Sequence, residues 1–137
     1  MAAFVLDASV TLAWCFENEA TPYTEAVLER LGDTEALVPA IWPLEVANVL
    51  LAGERRKRLT EADTAHFVEL LATLPITVEE EGLTEALGPV LALAREQGLS
   101  ANDASYLELA ARRGLPLATQ DGRLSLAATR VGVPLVS

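Results

Sequence analysis

Five short runs of β-forming, largely apolar residues punctuate this chain, separated by stretches with helical period. They are Phe4-Val5-Leu6, Ala36-Leu37-Val38, Ile76-Thr77-Val78, Leu117-Ala118-Thr119 and Pro134-Leu135-Val136. The first is apolar throughout, as a strand buried on both faces must be. Strands alternating with helices predict an α/β fold with a parallel sheet covered by helices. Helices are expected from Ala8 to Phe16, Pro22 to Leu31, Pro43 to Ala52, Thr60 to Leu74, Leu83 to Gln97, Ser100 to Arg113 and in a short segment after Asp121. Thr60-Glu61-Ala62-Asp63 and Ser100-Ala101-Asn102-Asp103 both resemble capping boxes. Gly32, Gly53 and Gly114 read as stops, and Gly88-Pro89 as a break or kink.

At 137 residues the chain suits a single domain, residues 1–137. Its hydrophobic fraction of 51% permits a real core. No apolar run reaches the ~20 residues that span a bilayer. The segment from Met1 to Asp7 has no basic region and meets an acid at once, so it does not read as a secretory signal. The single Cys15 permits no internal disulfide and no zinc site built from several thiolates. These features point to a soluble protein of a reducing cytoplasm. The net charge of −10 argues against a nucleic-acid partner when taken alone. That argument weakens if some of the acids hold metal cations.

The acids are unevenly placed. Of only five Asp residues, Asp7 directly follows the first strand, Asp121 follows the fourth, and Asp103 lies in the first turn of a helix. Glu45 lies in the first turn of another. Ligands of an open parallel sheet bind beyond the carboxyl ends of its strands, and helix N-termini open toward the same edge. Four acids distant in sequence can therefore converge there. Each also has a structural reading: Asp7 as a cap, Asp103 and Glu45 as first-turn acids favoured by the helix dipole, Asp121 as a turn residue. Their joint placement favours a site. Clustered, half-buried carboxylates repel one another unless protons or a cation intervene. Mg²⁺ or Mn²⁺, which prefer oxygen ligands, resolves the conflict.

Ser9, Asn48 and Thr119 flank these acids, placed to orient ligands or waters from behind, or else to satisfy backbone groups. His66, the one histidine, lies mid-helix among Ala65, Phe67 and Val68 and reads as structural or surface. The run Arg55-Arg56-Lys57-Arg58 reads either as a solvated helix end or as a rail for a phosphate backbone, with Arg112-Arg113 a weaker second patch. The stretch from Val10 to Phe16, with Trp14, reads as core, or alternatively as a groove or dimer face for an amphipathic helix.

Four segments then resemble one family. FVLDASVTLAW with Asp7, PAIWPLEVANVLL with Glu45 and Asn48, LSANDASYLELA with Asp103 and LATQDGRL with Asp121 are similar, in order and spacing, to the motifs of PIN-domain ribonucleases. Among them the chain resembles the VapC-like toxins of type II toxin–antitoxin pairs. Asn102 departs from the pattern, because members often carry an aromatic residue or His there. The resemblance implies a three-layer PIN-like fold with a parallel five-stranded sheet. It also implies a Mg²⁺- or Mn²⁺-dependent endoribonuclease, often directed at tRNA or rRNA, a VapB-like antitoxin partner, and a homodimer.

On that reading Asp7, Glu45, Asp103 and Asp121 are both the metal ligands and the catalytic acids, and which of them is the general base stays open. Two other readings remain. One is a catalytically silent PIN-like module that binds RNA or protein. The other is an aspartyl-phosphate phosphatase with Asp7 as nucleophile. That chemistry wants a second acid where Ser9 stands, and a lysine near a strand end, whereas Lys57 is the only lysine.

Overall fold

The structure, a computed structural model, describes residues 3–137. Met1 and Ala2, which open the segment read as lacking a secretory signal, lie outside the described residues. In chain order the elements are β1 (Phe4–Leu6), α1 (Ala8–Ala13), α2 (Pro22–Arg30), β2 (Ala36–Pro39), α3 (Trp42–Arg55), α4 (Glu61–Thr73), β3 (Ile76–Glu79), α5 (Leu83–Glu85), α6 (Leu91–Gln97), α7 (Ala101–Arg113), β4 (Leu117–Ala118) and α8 (Gly122–Val131). The strands pair in the order β3-β2-β1-β4, all parallel. This is the expected α/β architecture. Among the described residues no helix is long and apolar enough to cross a membrane.

The sheet has four strands where five were expected. Residues 134–136 contribute one bridge, Leu117 with Leu135. Leu117 N donates to Pro134 O and Val136 N to Leu117 O, both at 2.9 Å. Pro134 has no N–H with which to extend the ladder.

Three helices depart from expectation. α1 ends at Ala13. The chain then turns toward α2, where Trp14 Nε1 donates to Thr24 O at 2.8 Å. α3 runs through Gly53 to Arg55. Gly53 is a packing position, because a Cβ there would lie 3.0 Å from Leu59 Cδ1 and 3.3 Å from Phe16 Cζ. The reversal comes later, at Lys57, whose φ is 58°. Between α5 and α6, Pro89 sits inside a π-helical turn, Ala86–Val90. Such a turn accommodates a residue without an N–H and keeps the helix continuous.

β1 is fully enclosed, with Phe4, Val5 and Leu6 at 1% exposure or less. Tyr106, Leu107 and Leu109 of α7 pack into the same core. Truncating Leu6 to Ala should cost about 2–5 kcal/mol. Val10, Leu12, Ala13 and Phe16 are buried, as the core reading of that stretch expected.

The register positions the site. Leu6 pairs with Ala118. The next residues, Asp7 and Thr119, therefore emerge side by side at the carboxyl edge, and Asp7 N donates to Ala118 O at 3.0 Å. β2 leads from the same edge into α3, whose first turn carries Glu45.

Candidate active site

Asp7 is 6% exposed. Two hydroxyls hold its Oδ2: Ser9 Oγ and Thr119 Oγ1, each donating at 2.7 Å. Thr119 Oγ1 also accepts from Asp121 N at 3.0 Å, and Ser9 Oγ from Gln120 N at 3.1 Å. The loop after β4 is thereby stitched to the start of α1. Burial drives the Asp7 pKa upward, and the Thr119 and Ser9 hydroxyls offset part of that rise.

Glu45 and Asp103 are half-buried, and both are raised, first by burial. The charges of Asp7 and Asp103 add to the rise at Glu45. Those of Asp121 and Asp7 add to it at Asp103. Asp121 adds to the rise at Asp7. Asp7, Glu45 and Asp103 thus stand within electrostatic reach of one another, and Asp121 reaches Asp7 and Asp103, although they come from the end of β1, α3, α7 and the loop after β4. Among the described residues, no three His, Cys, Asp or Glu side chains stand in positions that could hold a metal ion without moving. The arrangement is an open acidic rim. Its donors are all oxygens, the ionised forms of Asp7, Glu45 and Asp103 are penalised where they stand, and a hard divalent cation is the ligand such a set fits.

Two similar sequence patterns are used in opposite ways. At α4, Thr60 Oγ1 accepts from Asp63 N, and Asp63 Oδ2 accepts from Thr60 N at 2.9 Å, a complete capping box that lowers the Asp63 pKa. At α7, Ser100 Oγ accepts from Asp103 N at 3.1 Å and the Ser100 side chain offsets part of the rise at Asp103, but no bond from Ser100 N to the carboxylate completes the box. That carboxylate serves the rim instead.

Asp121 combines both readings. Its Oδ1 caps α8 by accepting from Arg123 N at 2.9 Å and Leu124 N at 3.1 Å, while its charge reaches Asp7 and Asp103. Asn48 is exposed one turn along α3, away from any hydrogen bond to these acids among the described residues. Sequence reasoning missed Tyr106. This residue is fully buried, and its hydroxyl donates to Glu45 Oε1. The available signal was its position three residues after Asp103, on the same face of α7.

The basic residues divide. Arg55, Arg56 and Lys57 are exposed at the far end of α3, about 15 Å from Glu45 at the helical rise. Arg58 is engaged elsewhere: it pairs with Glu19 at 3.0 Å and lies 4.2 Å above the Phe16 ring. The expected second patch is also committed, Arg112 to Glu108 at 3.1 Å and Arg113 to Glu79. Away from the rim, Trp14, Phe16, Phe67, His66 and Leu70 line a groove of about 590 Å³. The stretch read as core thus also presents part of its surface to a cavity.

The PIN domain profile matches residues 4–129. Ribonuclease VapC3 of Pyrobaculum aerophilum is 30% identical over 121 residues, which cover 88% of this chain and 91% of that protein. The fold is shared with the crystal structure of PAE2754 from Pyrobaculum aerophilum, at a TM-score of 0.71 and 24% identity over 92% of this chain and 84% of that one. It is also shared with a toxin–antitoxin complex from Klebsiella pneumoniae, at a TM-score of 0.58 and 14% identity over 86% of each chain. The chain belongs to the PIN-domain family, among its VapC-like members.

Proposed function

We propose that this protein is a Mg²⁺- or Mn²⁺-dependent endoribonuclease and the toxin of a VapBC-like pair. The observation that carries the reading is the rim, where burial and mutual repulsion raise Asp7, Glu45 and Asp103 together. The similarity to a protein named Ribonuclease VapC3 supports RNA as the substrate.

Asp7, Glu45, Asp103 and Asp121 are the residues that would hold the ion. When bound, it supplies Lewis-acid polarisation of a phosphoryl oxygen and eases deprotonation of water. The chain's own residues do the rest. Ser9 and Thr119 fix the Asp7 carboxylate in one orientation. Asp121 anchors α8 to the rim. Glu45 and Asp103, raised above the ordinary carboxylate range, are suited to accept the proton of an attacking water. Arg55, Arg56 and Lys57 are exposed cations for the RNA backbone.

A VapB-like antitoxin is the proposed partner, and the groove in which Trp14, Phe16, Phe67 and Leu70 stand beside Glu17, Arg58 and Asp63 offers an amphipathic segment both apolar and charged contacts. Leu83, Leu87 and Leu91 form an exposed apolar row suited to a homodimer contact. A reducing cytoplasm is the proposed compartment, consistent with the free thiol of Cys15.

The test is incubation of purified, antitoxin-free protein with structured RNA, with Mg²⁺ or Mn²⁺ and with EDTA. Metal-dependent fragments support the nuclease. Retention of RNA without cleavage supports a silent binding module. A trapped phospho-aspartate would favour the phosphatase, but Lys57 at the far end of α3 is poorly placed for it.

A further inference from the structure

We infer that Tyr106 is a positioning residue for Glu45, fixing that carboxylate on the acidic rim through its hydroxyl. The inference rests on the nuclease reading of the rim. Three observations carry it. Tyr106 is fully buried, so its ring has one available placement. Its hydroxyl donates to Glu45 Oε1 across 61 residues of sequence, the only hydrogen bond Glu45's carboxylate makes among the described residues. And it stands one turn after Asp103 on α7, so a single rigid helix carries one rim acid and the clamp for another.

A second buried contact fixes the helix from which Glu45 projects. Trp42 Nε1 donates to Thr11 Oγ1 at 3.1 Å, and Thr11 Oγ1 donates back to Asp7 O at 3.4 Å. Thr11 is fully buried. The first turn of α3 is therefore tied to α7 on one side and to the Asp7 backbone on the other. A flexible Glu side chain that is half-buried would otherwise sample several rotamers. A buried tyrosine hydroxyl needs a partner, and a carboxylate with a fixed donor keeps one orientation.

The experiment compares wild type, Tyr106→Phe, Glu45→Ala and the double variant, all antitoxin-free. Mn²⁺ binding is read by calorimetry, and kcat and KM by RNA cleavage. Tyr106→Phe keeps the ring and should keep the helical circular dichroism. It should weaken Mn²⁺ binding and lower kcat by about 10-fold or more, with KM for RNA nearly unchanged. In the Glu45→Ala background the same change should have almost no further effect, because the residue it acts through is gone. Wild-type Mn²⁺ affinity in Tyr106→Phe would overturn the inference, as would an undiminished effect in the double variant. A wild type that binds no Mn²⁺ and cuts no RNA would instead remove the nuclease reading itself, and this inference with it.

If Tyr106→Phe does not fold, NMR of the wild type decides. A downfield, slowly exchanging hydroxyl proton that is lost in Glu45→Ala and moves on adding Mg²⁺ supports the role. A signal indifferent to both overturns it.

Discussion

Thr119 donates its hydroxyl to Asp7 Oδ2 at 2.7 Å, from the position beside Asp7 in the neighbouring parallel strand direction. The bond is buried and joins residues far apart in the chain. Thr119→Val keeps the shape but leaves Asp7 with only Ser9. We expect a 10–100-fold loss of cleavage and a cost of about 1–3 kcal/mol, because Asp121 N loses its acceptor as well. Ser9→Ala, at the half-exposed edge, should cost less of both. Cleavage rates and thermal melts of the two variants check the order.

Asp7→Asn should separate activity from stability. Removing the charge abolishes the rim's central acid, so cleavage should fall by at least ~10²-fold. The fold should survive or gain, because burial already disfavours the ionised form. Unfolding midpoints in urea, measured beside the cleavage assay, distinguish this from simple misfolding.

The raised acids set a sign for pH dependence. Asp7, Glu45 and Asp103 hold protons more readily folded than unfolded, where their values are the ordinary 3.8, 4.5 and 3.8. Their contribution to stability is therefore present at low pH and lost as pH rises through the raised folded values. These acids should therefore favour a higher melting temperature of the metal-free protein at acidic than at neutral pH, with the loss beginning above their ordinary values. Mg²⁺ should restore the loss at the higher pH, and Asp7→Asn should flatten the dependence. Asp63, whose pKa is lowered, acts in the opposite sense and only below its ordinary value. Melts across pH with and without Mg²⁺ test the sign.

The two first-turn Asp residues should exchange no roles. Thr60→Ala should cost about 1 kcal/mol of stability, and Asp63→Ala should lower the melting temperature by a few degrees, both without effect on cleavage. Asp103→Asn should abolish cleavage and leave the melt nearly unchanged.

Neutralising Arg55, Arg56 and Lys57 to Gln should weaken RNA binding and reduce its salt slope, by up to about 0.7 per charge removed. Arg58→Gln should act on the α3–α4 corner instead, because its guanidinium is held by Glu19 and the Phe16 ring. A titration of RNA affinity against salt separates the two.

Much of this was legible in the chain itself. Phe4-Val5-Leu6 followed at once by Asp7 announces a buried strand that ends in an acid, and the sheet is built around it. The helix starts at Thr60 and Ser100 were readable from their caps. What was not legible depended on distant partners. Thr-x-x-Asp and Ser-x-x-Asp look alike locally, and only the fold shows that Asp63 closes its box while Asp103 stands within reach of the charges of Asp7 and Asp121. Gly53 reads as a stop until Leu59 and Phe16 are seen packed against it. Tyr106 is buried core, and its hydroxyl becomes informative only once α3 brings Glu45 alongside. The ion pairs of Arg58 and Arg112-Arg113 could not be read from the chain because their acidic partners lie on other elements or one turn away.

The most direct measurement is a crystal structure of the protein grown with Mn²⁺, with data collected at the manganese absorption edge. The account predicts an anomalous peak among the carboxylates of Asp7, Glu45, Asp103 and Asp121, and its loss in Asp7→Asn. A peak elsewhere on the molecule, or one at the rim that persists unchanged in Asp7→Asn, would contradict it.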